Sequence, residues 1–110
     1  MPHIIVEYSP DLEETHDIPG LLQKLHEALA AQGIDAARIK TRGIDLTHAY
    51  VGTKGFAGSM IHITLLLLAG RDVSTKKQYG DALRGLVKAA VSEASVTLEI
   101  RDMDPETYYL

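Results

Sequence analysis

The chain has 110 residues, 45% of them hydrophobic and 24% charged, with a formal net charge of -4 and no cysteine. That length allows one domain burying roughly two-thirds of the surface its unfolded form exposes, and the composition excludes disulfide and thiol chemistry. Dispersed basic residues in an acidic chain argue against a nucleic-acid partner, and the longest apolar stretch, Met60 to Gly70, is far short of the ~20 residues a membrane helix needs.

The N-terminus shows no basic leader or apolar signal core, so a cytoplasmic protein is the expectation. His3 to Tyr8, HIIVEY, is rich in β-branched and aromatic residues and reads as a strand that begins almost at the first residue. Asp17 ahead of Ile18-Pro19 has the pattern of a helix N-cap with proline in the first turn. Leu21, Leu22, Leu25 and Leu29 follow at helical spacing, and Gly33 supplies the stop. Asp11, Glu13 and Glu14 before this helix read as a solvated loop. Arg38 to Arg42 reads as a short second strand, and Thr47 to Ser59, punctuated by glycines, as a mobile loop or hairpin. Met60 to Ala69 is an apolar run of strand length. Thr75 with Gln78 has capping-box spacing and starts a helix with Tyr79, Leu83, Leu86, Val87, Ala90 and Val91 on its apolar face. Ser95 to Arg101 alternates Val96, Leu98 and Ile100 with polar residues, the period of a half-buried strand.

The halves echo each other at an offset of roughly sixty residues, His3-Ile4 against His62-Ile63 and RIKTR against TLEIR. The whole chain, residues 1–110, therefore reads as one α+β domain of two β-α-β units, about 2–42 and 60–101. With right-handed crossovers these give a four-stranded sheet carrying two helices on one face. Leu65 to Leu68 is apolar at both strand parities, the mark of a strand buried on both sides. No third helix remains to cover the second face, so association of identical chains through their sheets is expected.

Pro2 is the first candidate for chemistry. Initiator methionine is normally removed ahead of a small residue, which leaves a secondary amine at the tip of a structured strand. Desolvation and neighbouring cations both disfavour the protonated form of such an amine, and a base poised near the working pH is the best proton shuttle. The cations at hand are Lys40 and Arg42, which share one face of an extended segment two and four residues after Arg38, and Arg71 in the turn Ala69 to Asp72. Arginine suits a planar carboxylate through its bidentate fork. Taken singly, Arg42 and Arg71 read first as solvated surface charges, with Asp45 or Asp72 as candidate partners. Five histidines lack metal-ligand spacing, so no metal is expected, and no glycine cluster forms a phosphate loop. His3 and His62 read as packing or hydrogen-bonding groups, and Tyr108 and Tyr109 as anchors, with a neighbouring subunit as one surface they could pack on.

PHIIVEYS from Pro2, DIPGLL at the first helix, IHITL from Ile61 and the AGR turn ending at Arg71 together resemble the 5-carboxymethyl-2-hydroxymuconate isomerase family of the tautomerase superfamily. The resemblance runs from Pro2 to about Arg101. It implies a tautomerase-type β-α-β-β-α-β fold, assembled as a homotrimer with its sheets lining the interior and active sites near subunit boundaries. It implies an isomerase that ketonises an unsaturated 2-hydroxy-di- or tricarboxylate, a 5-carboxymethyl-2-hydroxymuconate-like enol, in aromatic compound catabolism. In that chemistry Pro2 takes the hydroxyl proton of the dienol and delivers it to a distant carbon. Arg71 matches the arginine of the AGR motif and would bind a carboxylate or polarise the carbonyl. RIKTR matches a family segment with arginines at two alternate positions, occupied here by Lys40 and Arg42. The implied catalytic residues are thus Pro2, Arg71 and Arg42, and the implied substrate-binding residues Lys40, Arg42 and Arg71. Lysine cannot provide a bidentate clamp, so Lys40 is a departure that bears on the substrate. No cofactor is implied, since moving a proton between oxygen and carbon needs only a base and charge stabilisation. The rival readings are another keto–enol tautomerase, acting on an arylpyruvate or an oxalocrotonate-like diacid, a tautomerase descendant that has lost activity, and a ferredoxin-like ligand-binding module without catalysis.

Overall fold

The computed structural model describes residues 1–110. In chain order the elements are β1 (His3–Tyr8), the one-turn helix α1 (Leu12–Thr15), α2 (Ile18–Ala30), a 3-10 turn (Ala36–Arg38), β2 (Lys40–Asp45), β3 (Met60–Leu68), α3 (Val73–Ala90) and β4 (Ser95–Met103). The sheet order is β2-β1-β3-β4; β1 runs parallel to β2 and antiparallel to β3, and β3 runs parallel to β4. Each parallel pair is joined by one long helix, so the expected pair of β-α-β units meets at the central β1–β3 ladder. No helix is long and apolar enough to cross a membrane.

Strand parity sets the two faces. Ile4, Val6 and Tyr8 of β1 and Ile61, Ile63, Leu65 and Leu67 of β3 are buried against Leu21, Leu25 and Leu29 of α2 and Tyr79, Leu83 and Val87 of α3. Each of these aliphatic side chains contributes roughly 1.5–3 kcal/mol by leaving water. Val96, Leu98 and Ile100 of β4 pack at the edge of the same core. The other parity carries His3, Ile5 and Glu7 of β1, Lys40, Arg42 and Ile44 of β2, and His62, Thr64, Leu66 and Leu68 of β3, and no element of the chain covers that face. The leucine run thus divides: Leu65 and Leu67 enter the core, while Leu66 and Leu68 stay half-exposed on the open face.

Asp17 caps α2 as expected, its carboxylate accepting from the Gly20 amide at 3.0 Å, and Gly33 beyond the helix end takes a φ of +99°. Four local expectations need correction. The second helix begins at Val73 rather than near Thr75, because Asp72 is the residue whose carboxylate accepts the Thr75 amide, at 2.8 Å. The strand read as Arg38 to Arg42 runs instead from Lys40 to Asp45, because Asp35 caps the Ala37 amide and winds Ala36–Arg38 into the 3-10 turn. The acidic segment read as a loop contains α1, and Glu13 accepts a 2.5 Å hydrogen bond from the Tyr8 hydroxyl, which together with burial pushes that phenol up to about 12. The last strand reaches Met103, two residues further than the alternation showed. The segment between β2 and β3 is a turn closed by a single bridge from Val51 to Gly55, with Tyr50 and Phe56 exposed and packed edge to face.

Candidate active site

The ladders bring four separate stretches of chain to one end of the sheet. Parallel pairing of His3 with Lys40 sets Pro2 beside the beginning of β2, where the Lys40 amide donates to the Pro2 carbonyl at 3.0 Å. Antiparallel pairing of His3 with Leu66 sets the end of β3, and the turn carrying Arg71, beside the same residue. The result is a cavity of about 320 Å³ lined by Met1, Pro2, Gly33, Ile34, Asp35, Arg38, Leu68, Arg71 and Tyr79. Pro2 is buried, and Ile34, Leu68 and Tyr79 provide apolar wall.

Two guanidinium groups face this space. Arg71 is half-buried with its guanidinium carbon 5.8 Å from the centroid of the Tyr79 ring, a cation–π distance that orients the side chain. Arg71 makes no ion pair, so Asp72 does not neutralise it; that carboxylate is spent on capping α3. Arg38 projects from the 3-10 turn, with its Nε 3.8 Å from a carboxylate oxygen of Asp35, both side chains being well exposed. The amine of the chain, here on the residue before Pro2, is held below its ordinary value first by burial and then by Arg38, Lys40 and Arg71, while Asp35 acts in the opposite direction. An amine held less basic than usual, apolar walls and two arginines can together take a proton from a bound acid and hold an anion while doing so.

The expected site residues do not all gather here. Pro2 and Arg71 line the cavity; Lys40 and Arg42 belong to the open face of the sheet. Arg42 contacts neither Asp45 nor the cavity, and instead approaches Nδ1 of His3 at 3.0 Å, while Nε2 of His3 lies 2.7 Å from the Tyr108 hydroxyl. Arginine has no acceptor, so Nδ1 must be the unprotonated nitrogen and Nε2–H donates to Tyr108. The cluster secures the C-terminal tail against β1, which gives Tyr108 the anchoring part expected of it; Tyr109 is exposed. Sequence reasoning groups Arg38 with Lys40 and Arg42 without singling it out, and misses Asp35, Ile34 and Tyr79 as cavity residues. The signal for Arg38 and Asp35 is an Asp three residues before an Arg just after a helix-stopping glycine, which is a turn rather than a strand.

Burial, then Arg42 and Lys40, push His3 below the ordinary histidine value of about 6.5. The folded chain therefore binds this proton less readily than the unfolded chain. The contribution is complete above about pH 6.5 and is lost as pH falls through the folded value. The gap in melting temperature between the wild type and His3→Gln is expected to narrow on acidification below that pH. A gap independent of pH would show that the imidazole is not held neutral.

The family model for 5-carboxymethyl-2-hydroxymuconate isomerase matches residues 2–109. The 5-carboxymethyl-2-hydroxymuconate Delta-isomerase of Escherichia coli is 34% identical over 114 residues, covering 96% of this chain and 89% of that protein. A 5-carboxymethyl-2-hydroxymuconate isomerase from Deinococcus radiodurans R1 superposes with a TM-score of 0.82 at 25% identity, over 99% of this chain and 87% of that one. A fused 4-OT protein, an asymmetric trimer, shares the fold at a TM-score of 0.80 and 20% identity, over 98% of this chain and 91% of that one. On the match along nearly its whole length, the chain belongs to the 5-carboxymethyl-2-hydroxymuconate isomerase family.

Proposed function

We propose that this protein, once Met1 is removed, is a tautomerase in which the amine of Pro2 shuttles a proton on a 5-carboxymethyl-2-hydroxymuconate-like enol during aromatic compound catabolism. The observation that carries the reading is the burial of Pro2 in a cavity shared with Arg38 and Arg71. Removing one residue moves the amine by about 3.8 Å, the length of one peptide step, to the start of β1. The free Pro2 nitrogen takes the enol hydroxyl proton, and the O–H electron pair becomes the carbonyl π bond. The enol double bond shifts along the conjugated chain, and its far carbon takes the proton back from the Pro2 ammonium. No electrons leave the substrate. Arg71 binds a carboxylate or steadies the negative charge that grows on oxygen, and Arg38 offers a second cationic contact.

The active form in this proposal is a homotrimer. Its support is the uncovered sheet face, where Ile5, Leu66 and Leu68 remain partly exposed, together with the trimeric 4-OT proteins that share the fold. In such an assembly Lys40 and Arg42, which lie on that face, would meet a neighbouring subunit and could reach substrate across the boundary. Sedimentation should give three times the chain mass.

The direct test compares the mature protein with a form that retains Met1, each verified by intact mass. Ultraviolet assays would use 2-hydroxymuconate-type and phenylenolpyruvate substrates. In the Met1-bearing form the Pro2 nitrogen is an amide with no basic lone pair, so turnover should disappear while the fold persists. Equal rates in the two forms would refute the Pro2 base. A preference for phenylenolpyruvate would move the assignment to an arylpyruvate tautomerase.

A further inference from the structure

Asp35 is the sole acidic residue lining the cavity that holds Pro2. One of its oxygens accepts the Ala37 amide at 3.0 Å and so caps the 3-10 turn; the other lies 3.8 Å from Nε of Arg38. The cap alone does not call for a charge, since asparagine or serine caps a turn about as well as aspartate. A negative charge beside two guanidinium groups works against the binding of an anion there, and it lies close to the arginine that would otherwise be free to bind.

We propose that Asp35 is a specificity-determining residue of the Pro2 cavity: its carboxylate engages Arg38 until a substrate carboxylate displaces it, and thereby limits how much negative charge the cavity accepts. The inference rests on the tautomerase reading for its substrate carboxylate and its kinetic readout. The same charge also acts on the base. The groups near the chain's amine, here on Met1, are Arg38 from the 3-10 turn, Lys40 from β2, Arg71 from the turn before α3, Tyr79 from α3, His3 from β1, and Asp35 itself. Burial and then the cations make that amine less basic, and Asp35 partly offsets them. Removing the carboxylate while keeping the cap should therefore tighten anion binding and let the amine lose its proton at lower pH.

Asp35→Asn makes that separation, and Asp35→Glu returns the charge on a longer arm. Mature protein carrying 15N-labelled proline would be titrated by NMR, and the pH profile of kcat/KM recorded beside it. In Asp35→Asn the amine should titrate roughly 0.3–1 pH unit lower, with the acid limb of kcat/KM moving by the same amount. KM for a dicarboxylate enol should fall roughly two- to fivefold, and less for a monocarboxylate enol, as befits an exposed pair. Both effects should shrink in high salt and revert toward wild type in Asp35→Glu. Arg38→Ala should move the amine in the opposite direction. An unchanged amine titration and unchanged dicarboxylate KM in Asp35→Asn, with an unaltered melting temperature, would overturn the proposal. Should no substrate turn over in any form, the tautomerase reading falls by itself. The amine titration and calorimetric binding of a non-reacting dicarboxylate would then decide the role of Asp35: a lower titration with tighter binding upholds it, and no change in either overturns it.

Discussion

Replacing Pro2 by alanine should lower kcat about a hundredfold, with little change in KM and a melting temperature close to that of the wild type. A positioned general base accounts for roughly two to four orders of magnitude of rate. The expected loss lies at the low end because the mature Pro2→Ala protein still begins with an amine, though a primary one on a residue without the ring that fixes φ. Fold stability should survive because what anchors residue 2 to the sheet is its carbonyl, which accepts the Lys40 amide, and alanine retains it. KM should hold because the cationic side chains, Arg71 and Arg38, are untouched. The kcat/KM profile supplies the check: its acid limb should follow the amine of residue 2, shifting between the proline and alanine proteins. Wild-type turnover in Pro2→Ala with an unshifted acid limb would mean that the base lies elsewhere.

The largest stability effect should come from Leu65→Ala, at about 2–5 kcal/mol of unfolding free energy. Leu65 is fully buried on the central strand β3, paired with Ile4 of β1 on one side and Ile100 of β4 on the other. The ladders on both sides prevent the backbone from collapsing into the space, so the cavity term is largely retained. Against the roughly 5–15 kcal/mol typical of a whole domain, that loss is severe. Its neighbour Leu66 is the control. It points to the open face and is half-exposed in the single chain, so Leu66→Ala should cost the subunit fold less and weaken self-association instead. Urea unfolding at several protein concentrations separates the two. A Leu66→Ala variant as damaged as Leu65→Ala, and equally so at every concentration, would contradict this division of the strand.

Much of the fold is legible in the residues because each signal is local. HIIVEY, the leucines of α2 and the alternation of Val96, Leu98 and Ile100 each announce a period, and a period is a property of a dozen adjacent residues. Asp17 and Gly33 mark the ends of α2 for the same reason: a cap acts within one turn. The doubling of β-α-β sets the strand connections, since parallel neighbours joined by a helix admit one hand. Even the uncovered face follows from the four consecutive leucines and the shortage of helices.

The makeup of the cavity is less legible. Strand spacing groups Arg38 with Lys40 and Arg42, yet one hydrogen bond from the Ala37 amide to Asp35 turns it out of that register and toward Pro2. Arg42 carries the same charge and lies only four residues on, but β2 presents it to the open face, where it meets His3 and the tail held by Tyr108. Tyr79 reads correctly as a core residue, and nothing in its helical spacing shows that its ring also lies under Arg71. What the sequence alone determined was the chain's main elements, their doubling, and the presence of a proline near the N-terminus together with several cations. Which cations reach that proline was decided only by tertiary structure, because the choice depends on strand register and on one capped turn, and these bring together residues more than thirty positions apart.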